Sequence, residues 1–244
     1  MIRTILLAGL FATAVILYAF SSKHDGWWGW GKRGSGVERT EVREVGKFEG
    51  LDVGGAFDVD IVCGGETKVE VTADDNLLEN ITTSVRGSTL YIETEGNISP
   101  RTKIRLRITT PNIEDIQSSG ASDVVLHDVK NEKLHLETSG AGSIKATVKT
   151  DNLSVETSGA GNVILSGSAG TFSVETSGAA EIKARDLQTK NARVDVSGAG
   201  DVELRVSEEL NVSVSGAGDI RYYGSPKIVS KEISGAGSVS KKGE

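Results

Sequence analysis

The tripeptide Ser-Gly-Ala occurs seven times from residue 119 onward, at a nearly constant spacing. The copies begin at Ser119, Ser139, Ser158, Ser177, Ser197, Ser215 and Ser234, so successive copies lie 20, 19, 19, 20, 18 and 19 residues apart. An earlier, degenerate copy is Val53-Gly54-Gly55-Ala56. A fixed period of this length is typical of a stacked architecture, in which each unit buries its apolar side chains against its neighbours.

Apolar residues or Thr alternate with polar residues on both sides of each Ser-Gly-Ala corner. Examples are Leu153, Val155 and Thr157 before one corner, and Val163 and Leu165 after it. A period of two predicts a strand with one buried face, so each repeat holds two strands. A βαβ unit needs about 30 residues and does not fit this period. We therefore predict an all-β fold, a parallel β-helix or solenoid of ~19-residue Ser-Gly-Ala-Gly coils, with equivalent strands in register about 4.8 Å apart.

Glycine is the residue that the predicted corners need, because it permits positive φ or close backbone approach. The chain has 30 Gly and only 3 Pro, and a low aromatic content of 5% that favours a narrow aliphatic core. We expect the Ala methyl of each corner to point inward. The predicted structural turn residues are Gly140, Ala141, Gly142, Gly159, Ala160, Gly161, Gly198, Ala199, Gly200, Gly216, Ala217 and Gly218.

The predicted solenoid domain spans residues 40–242, with regular repeats from residue 119 onward and a less regular part before it. In residues 40–118, strands are predicted at 68–71, 84–85, 90–93 and 103–108, and one helical turn at 74–79. We interpret this part as the first coils, interrupted by an excursion that closes the open end. Such a cap is needed because a bare parallel edge would promote aggregation.

Residues 1–21 have the composition of an export signal. Arg3 precedes an apolar run from Thr4 to Phe20, which fits either a cleavable signal peptide or a short membrane anchor. We therefore expect an exported protein of the periplasm or cell envelope, which segment 4–20 would anchor to the membrane if it is not cleaved. Residues 22–39 are predicted to be a linker rich in Gly and Trp. Its three Trp residues are expected at a membrane interface or packed on the first coil.

Several segments together resemble a known bacterial family. They are Phe48 to Val59, Val69-Glu70-Val71 followed by Asn76-Leu77-Leu78, Leu90-Tyr91-Ile92, and the Ser-Gly-Ala-Gly coils. They resemble the proteins described as "putative auto-transporter adhesin, head GIN domain", over roughly residues 45–240. The resemblance implies an exported, right-handed β-solenoid of a bacterial envelope with an adhesin role. It supplies no catalytic or ligand-binding residues.

The serines of the corners do not predict an enzyme. A serine nucleophile needs a neighbouring base, and the three histidines, His24, His127 and His135, do not recur with the serines. A glycan-active β-helix enzyme is an alternative, but such sites generally need long loops that wall a cleft. Successive coils here differ by at most two residues in length. We expect no enzymatic activity and no cofactor.

A row of carboxylates is the candidate site of the chain. Two residues before the corner serines lie Glu137, Glu156, Glu175 and Asp195, with Ser213 interrupting the row before Glu232. Coils in register would stack these carboxylates about 4.8 Å apart, which is repulsive unless cations or basic groups neutralise them. The row is a candidate for weak divalent-cation binding, as in a cation-dependent scaffold, or for contact with a basic partner. The alternative is a solvated face screened by salt.

The net charge limits the kinds of partner that the chain can bind, and the cysteine count excludes an internal disulfide. The net charge of −7 argues against nucleic acid, because a phosphate-binding surface needs a basic excess. Cys63 is the only cysteine, so no internal disulfide can form. A second acidic series directly after the corners, which includes Asp123, Asp201 and Asp219, is interpreted as turn capping. The expected partner is an envelope polysaccharide or another surface protein.

Overall fold

The computed structural model describes residues 31–243. The predicted signal peptide or anchor, 1–21, and the part of the predicted linker that carries the three Trp residues lie outside the described residues. Within residues 31–243, no helix has the length and apolar character needed to cross a membrane.

The described part of the chain is almost entirely β-structure, with one 3₁₀ turn at Leu78–Asn80. The N-terminal strands are β1 (Lys32–Arg33), β2 (Glu38–Arg43), β3 (Gly50–Gly55), β4 (Asp58–Cys63), β5 (Lys68–Asp74), β6 (Ile81–Arg86), β7 (Thr89–Thr94), β8 (Ile98–Ser99), β9 (Arg105–Thr110) and β10 (Asp115–Gly120). The strands of the regular coils are β11 (Asp123–Thr138), β12 (Ser143–Thr157), β13 (Asn162–Thr176), β14 (Glu181–Val196), β15 (Asp201–Val214), β16 (Asp219–Tyr223), β17 (Ile228–Ile233) and β18 (Ser238–Lys241).

Two parallel ladders run along the molecule, one on each side of the corners. The first face consists of β3, β10, β17 and the C-terminal halves of β11 to β15. The second face consists of β4, β16, β18 and the N-terminal halves of β11 to β15. The predicted parallel stacking is confirmed, since Leu153 lies directly beside Phe172 and both side chains are buried.

The core is a narrow stack of aliphatic columns between these faces. On the first face one column runs through Leu134, Leu153, Phe172, Ala192 and Leu210, all of them buried. The column nearest the corners begins with Thr138, Thr157 and Thr176 and continues with Val196 and Val214. Each column is continuous because the register places a buried side chain of every coil directly over one of the coil before it.

Differences in coil length are absorbed on the third side of the coil, between the second face and the next first-face strand. The pairing of β11 with β12 shifts between Leu126 and Val129, and the pairing of β13 with β14 shifts between Ile164 and Ser166. Each shift accommodates the extra residue of a twenty-residue coil as a β-bulge. Asp128, at the first bulge, has a positive φ of 51°. The corners and both faces therefore keep their register.

Antiparallel strands cover the N-terminal end of the solenoid. β7 stacks parallel on β3 and is followed by antiparallel β6, while β9 stacks parallel on β4 and is followed by antiparallel β5 and β2. The helical turn predicted at 74–79 forms only at Leu78–Asn80, as a 3₁₀ turn. Asp74 ends β5 and accepts backbone N–H groups of Gly36, Arg101 and Thr102.

Residues 31–39, predicted as part of a linker, are docked on this end of the domain. β1 pairs with β8, and β2 begins at Glu38 against β5. The side chain of Asn76 binds this segment at both polar ends, because it accepts the N–H of Ser35 and donates to the carbonyl of Arg33. Strand pairing in the described part of the chain therefore already occurs at Lys32, within the segment predicted as a linker.

Candidate functional site

The corners are held together by backbone hydrogen bonds between neighbouring coils. The N–H of Ala141 donates to the carbonyl of Gly120 at 2.8 Å, and the N–H of Ala160 donates to the carbonyl of Gly140 at 3.0 Å. A Cβ on Gly140 would overlap that same carbonyl of Gly120, and a Cβ on Gly159 would overlap the carbonyl of Gly140. Close approach of two backbones is therefore what excludes larger residues at these positions.

The expected inward orientation of the corner alanines is wrong. Ala141, Ala160, Ala199 and Ala217 are exposed, and the residue that follows each of them is buried instead. That inward position is held by Gly142, Gly161, Gly200 and Gly218, and by Ser122 and Ala180 in two coils that lack the second glycine. The alanine faces solvent because its N–H must point along the stack toward the previous coil, which turns its methyl outward.

The corner serines occupy one exposed row beside the glycines. The hydroxyl of Ser197 donates to the carbonyl of Thr176 at 3.3 Å, in the previous coil. His127 lies on the second face, 3.5 Å from Asp60, and His135 lies on the first face. Among residues 31–243 no corner serine hydrogen-bonds a histidine.

The four candidate carboxylates lie side by side on the outside of the first face. Glu137 pairs in register with Glu156, Glu156 with Glu175, and Glu175 with Asp195. The row continues through Ser213 to Glu232, in the order that the sequence predicts. The four candidate carboxylates and the neighbouring serines line an open groove of about 260 Å³; these serines are Ser158, Ser177, Ser197 and Ser215.

The carboxylate row also extends in the other direction, to residues that the sequence analysis missed. Gln117 pairs with Glu137, and Asp52 pairs with Gln117. Partial burial, followed by repulsion from Glu93 and Asp115, raises the pKa of Asp52 above its ordinary value. The rule of two residues before the corner would have found Asp52, because Gly54 pairs in register with Ser119. We call the row Asp52, Gln117, Glu137, Glu156, Glu175 and Asp195 the acidic ladder.

Few basic side chains lie close to the acidic ladder. The guanidinium of Arg193 lies 2.8 Å from Asp195, and the imidazole of His135 lies 4.0 Å from Glu137. In the described part of the chain, Glu156 and Glu175 have no ion pair. No group of three or more His, Cys, Asp or Glu side chains in residues 31–243 has an arrangement that could hold a metal ion. The middle of the ladder is an extended anionic surface.

The second acidic series, after the corners, makes contacts between neighbouring coils. The hydroxyl of Ser143 donates to Asp123 at 2.6 Å, and the backbone N–H of Asp219 donates to Asp201 at 3.1 Å. Lys103 binds Asp58 at 2.9 Å at the N-terminal end of the series. These carboxylates therefore link neighbouring coils by hydrogen bonds and an ion pair along the edge of the second face.

Comparison with known proteins identifies the fold and the family. A crystal structure from Bacteroides fragilis NCTC 9343, described as a "putative adhesin", has a TM-score of 0.84 and 25% identity, and the match covers 87% of this chain and 100% of that chain. A "putative lipid binding protein" from Parabacteroides distasonis ATCC 8503 is 24% identical with a TM-score of 0.72, covering 86% and 98% of the two chains. A "putative adhesin" from Parabacteroides merdae ATCC 43184 is 20% identical with a TM-score of 0.70, also covering 86% and 98%.

The last two similarities, below 25% identity, concern the fold alone. The comparison with curated proteins gives no significant match. The family model described as "Putative auto-transporter adhesin, head GIN domain" matches residues 47–226, which include most of both faces, every corner except the last, and the acidic ladder. The chain belongs to this head GIN domain family of adhesin-like β-solenoids.

Proposed function

We propose that this chain is a non-catalytic, exported protein of the cell envelope, which binds a partner along the flat first face of its solenoid. The observation that carries the proposal is the register of the acidic ladder. Equivalent side chains from successive coils form one straight row of carboxylates beside one row of hydroxyls. The family, and the neighbouring structures described as putative adhesins, support a surface role.

The spacing of the row favours an extended partner. Parallel strands repeat about every 4.8 Å, so the ladder offers charged acceptors and hydroxyls at regular intervals along one direction. Carboxylates accept strong hydrogen bonds from cationic groups and from hydroxyl donors. An envelope polysaccharide, or an extended segment of another surface protein, can meet several ladder positions at once. A small ligand would contact only one or two coils.

The shape of the first face supports a non-catalytic role. Extra residues enter the coils as bulges on the third side, so none of the regular coils between residues 119 and 214 has a long loop beside the acidic ladder. The groove over the ladder is consequently open along its length. Glycoside cleavage needs an acid and a base placed on both sides of the scissile bond. We expect no release of reducing ends when the protein is incubated with acidic polysaccharides.

Binding to polysaccharide arrays and to bacterial surfaces tests the proposed function. We expect the Glu156→Gln/Glu175→Gln double variant to lose binding that the wild-type protein shows, because these two carboxylates lack an ion pair on the protein. The control is Glu66→Gln/Glu208→Gln, which removes the same charge from exposed positions outside the ladder. Equal loss in both variants, or none in the ladder variant, would contradict a role for the first face.

Export is tested separately by fractionation and N-terminal sequencing of the mature chain. A signal peptide predicts an N-terminus close to residue 22 in a soluble periplasmic or surface fraction. An anchor predicts the complete N-terminus in a membrane fraction. Full-length chain in the cytosol would contradict the proposed localisation.

A cation-dependent scaffold is the second candidate function, and the stacking of Glu137, Glu156 and Glu175 favours it. Repulsion between these carboxylates would fall if divalent cations gathered along the row. In that case calcium raises the thermal midpoint more than sodium chloride does at the same ionic strength. Glu175→Gln should remove most of the difference. Equal effects of the two salts would contradict cation binding and would indicate that the row is a solvated face screened by salt.

A further inference from the structure

The coil formed by β17 and β18 carries lysine at two positions that face the core in earlier coils. Lys231 pairs in register with Val212, and Lys241 pairs with Tyr222. Val212 and Tyr222 are both buried. The alternation of the strands therefore directs both lysine stems over the end of the apolar columns.

The ammonium group of Lys231 reaches the rim of the core, and that of Lys241 binds a residue just after β16. Nζ of Lys231 lies 5.2 Å from the centre of the Tyr222 ring and 3.4 Å from the carbonyl oxygen of Val239. Nζ of Lys241 donates to the hydroxyl of Ser225 at 3.2 Å. Long basic side chains often bury their stems on apolar surface while the charged head stays in water. Here the stems cover the exposed end of two core columns.

Apart from the two lysines, the coil of β17 and β18 has the apolar pattern of the earlier coils. Val229 and Ile233 continue the columns of Leu210 and Val214 and are 39% and 47% exposed. The outer edges of β17 and β18 pair with no other strand among the described residues. An open parallel edge with aligned apolar side chains is a surface on which another β-strand can add. The opposite end avoids this through antiparallel β2, β5 and β6.

We infer that the coil of β17 and β18 is a charged stop, which prevents a second copy of this chain from stacking on this end of the solenoid. A coil added there would bury both ammonium groups between apolar columns. A buried charge without a partner is strongly unfavourable. Inward-pointing charge is a known means of protecting sheet edges. The inference concerns self-association and does not depend on the proposed binding role of the first face.

The test compares the association state of full-length variants, purified in a mild detergent that accommodates segment 4–20. Lys231→Val/Lys241→Leu restores residues that earlier coils use in the same columns. We expect sedimentation velocity to show dimers or longer end-to-end assemblies of this variant, under conditions where the wild-type protein does not assemble. The matched control is Lys227→Val/Lys242→Leu, which removes the same charge at exposed positions outside the columns.

A second variant separates loss of charge from failure to fold. Lys231→Met/Lys241→Met keeps an unbranched side chain of nearly the same length and removes the ammonium group, so it decides the question if the first variant is unfolded by circular dichroism. Assembly of the folded column variants, without assembly of the control, supports the charged stop. Folded column variants that sediment like the wild-type protein, or a control that assembles equally, would overturn it.

Discussion

Two adjacent residues of each corner differ in whether they can be replaced by a residue with a larger side chain. Gly140 lies where the carbonyl of Gly120 leaves no space for a Cβ, while Ala141 is exposed. The corner glycines Gly140, Gly159 and Gly198 do not have the positive φ that the sequence analysis allowed as one explanation. Close packing of backbones between coils explains their presence.

Gly159→Ala is expected to destabilise the domain by about 2–3 kcal/mol, because the new methyl must displace the carbonyl of Gly140. Ala160→Ser, one residue later, should change the free energy of unfolding by less than about 0.5 kcal/mol, since the side chain faces solvent. Urea unfolding of both variants checks this. Equal effects would contradict the close approach of the corner backbones.

The buried threonines next to the corners give a second prediction. The hydroxyls of Thr157 and Thr176 are buried and have no hydrogen-bond partner, and Val196 fills the same column in the next coil. Thr176→Val should therefore be neutral or stabilising by up to about 1 kcal/mol. The reverse change, Val196→Thr, should destabilise by about 1–3 kcal/mol. Chemical denaturation measures both, and a destabilising Thr176→Val would show that the hydroxyl has a structural partner.

The sequence predicts which side chains of the strands are buried, but it does not predict which side chains of the corner are buried. The period of two correctly placed Leu153, Val155 and Thr157 inside, because strand geometry fixes which side chains share a face. The pattern stops at Gly-Ala-Gly, where the chain turns. Small side chains there carry no polarity signal, so the outward direction of Ala160 could not be read from the residue type.

At the scale of elements, regular strands and capping strands differ in how visible they are in the sequence. β12 to β15 repeat the same alternation, so their pairing follows from the period alone. β2 has no buried residue, and its Val42 is 55% exposed, because it covers the edge of β5 rather than contributing to the core. Its antiparallel pairing has no repeat to reveal it, and its first residues were assigned to a linker.

The buried carboxylate of Asp74 fixes the N-terminal segment to the domain. Burial opposes its ionisation, but hydrogen bonds from the backbone N–H groups of Arg101, Thr102 and Gly36 outweigh burial and hold the pKa below its ordinary value of 3.8. A pKa lowered in the folded state means that the stabilisation is complete above about pH 3.8 and is lost as the pH falls through the folded pKa.

Asp74→Asn should lower the thermal midpoint at neutral pH, because the single amide oxygen of Asn cannot accept all the hydrogen bonds that the two carboxylate oxygens accept. The same change should remove this part of the acid dependence of stability, because the amide does not titrate. Asp75→Asn is the matched control, since the exposed neighbouring carboxylate binds only the hydroxyl of Ser35 in this segment. Thermal melts between neutral and acidic pH provide the comparison. An Asp74→Asn variant that melts like the control at every pH would contradict the role of Asp74.

At the scale of the whole molecule, the fold is an asymmetric stack with one antiparallel end and one lysine-bearing end. The stacking, the two faces and the order of the acidic ladder follow from a constant period combined with a period of two. The structure of the two ends does not follow from these periods. β2, β5 and β6 lie outside the repeat, and the core-facing positions of Lys231 and Lys241 are recognisable only once their register is known. The family and the proposed surface role agree with a stack whose long side remains free.

Spin labelling of the acidic ladder tests the in-register stack most directly. Nitroxides would replace Glu156 and Glu175, Glu137 and Glu175, or Glu137 and Asp195 through cysteine substitution in a Cys63→Ser background. Labels one, two and three coils apart should be separated by about 5, 10 and 14 Å, so spectral broadening should be strongest for the first pair and fall steadily. A first pair without broadening, or a third pair with the strongest broadening, would contradict parallel coils in register.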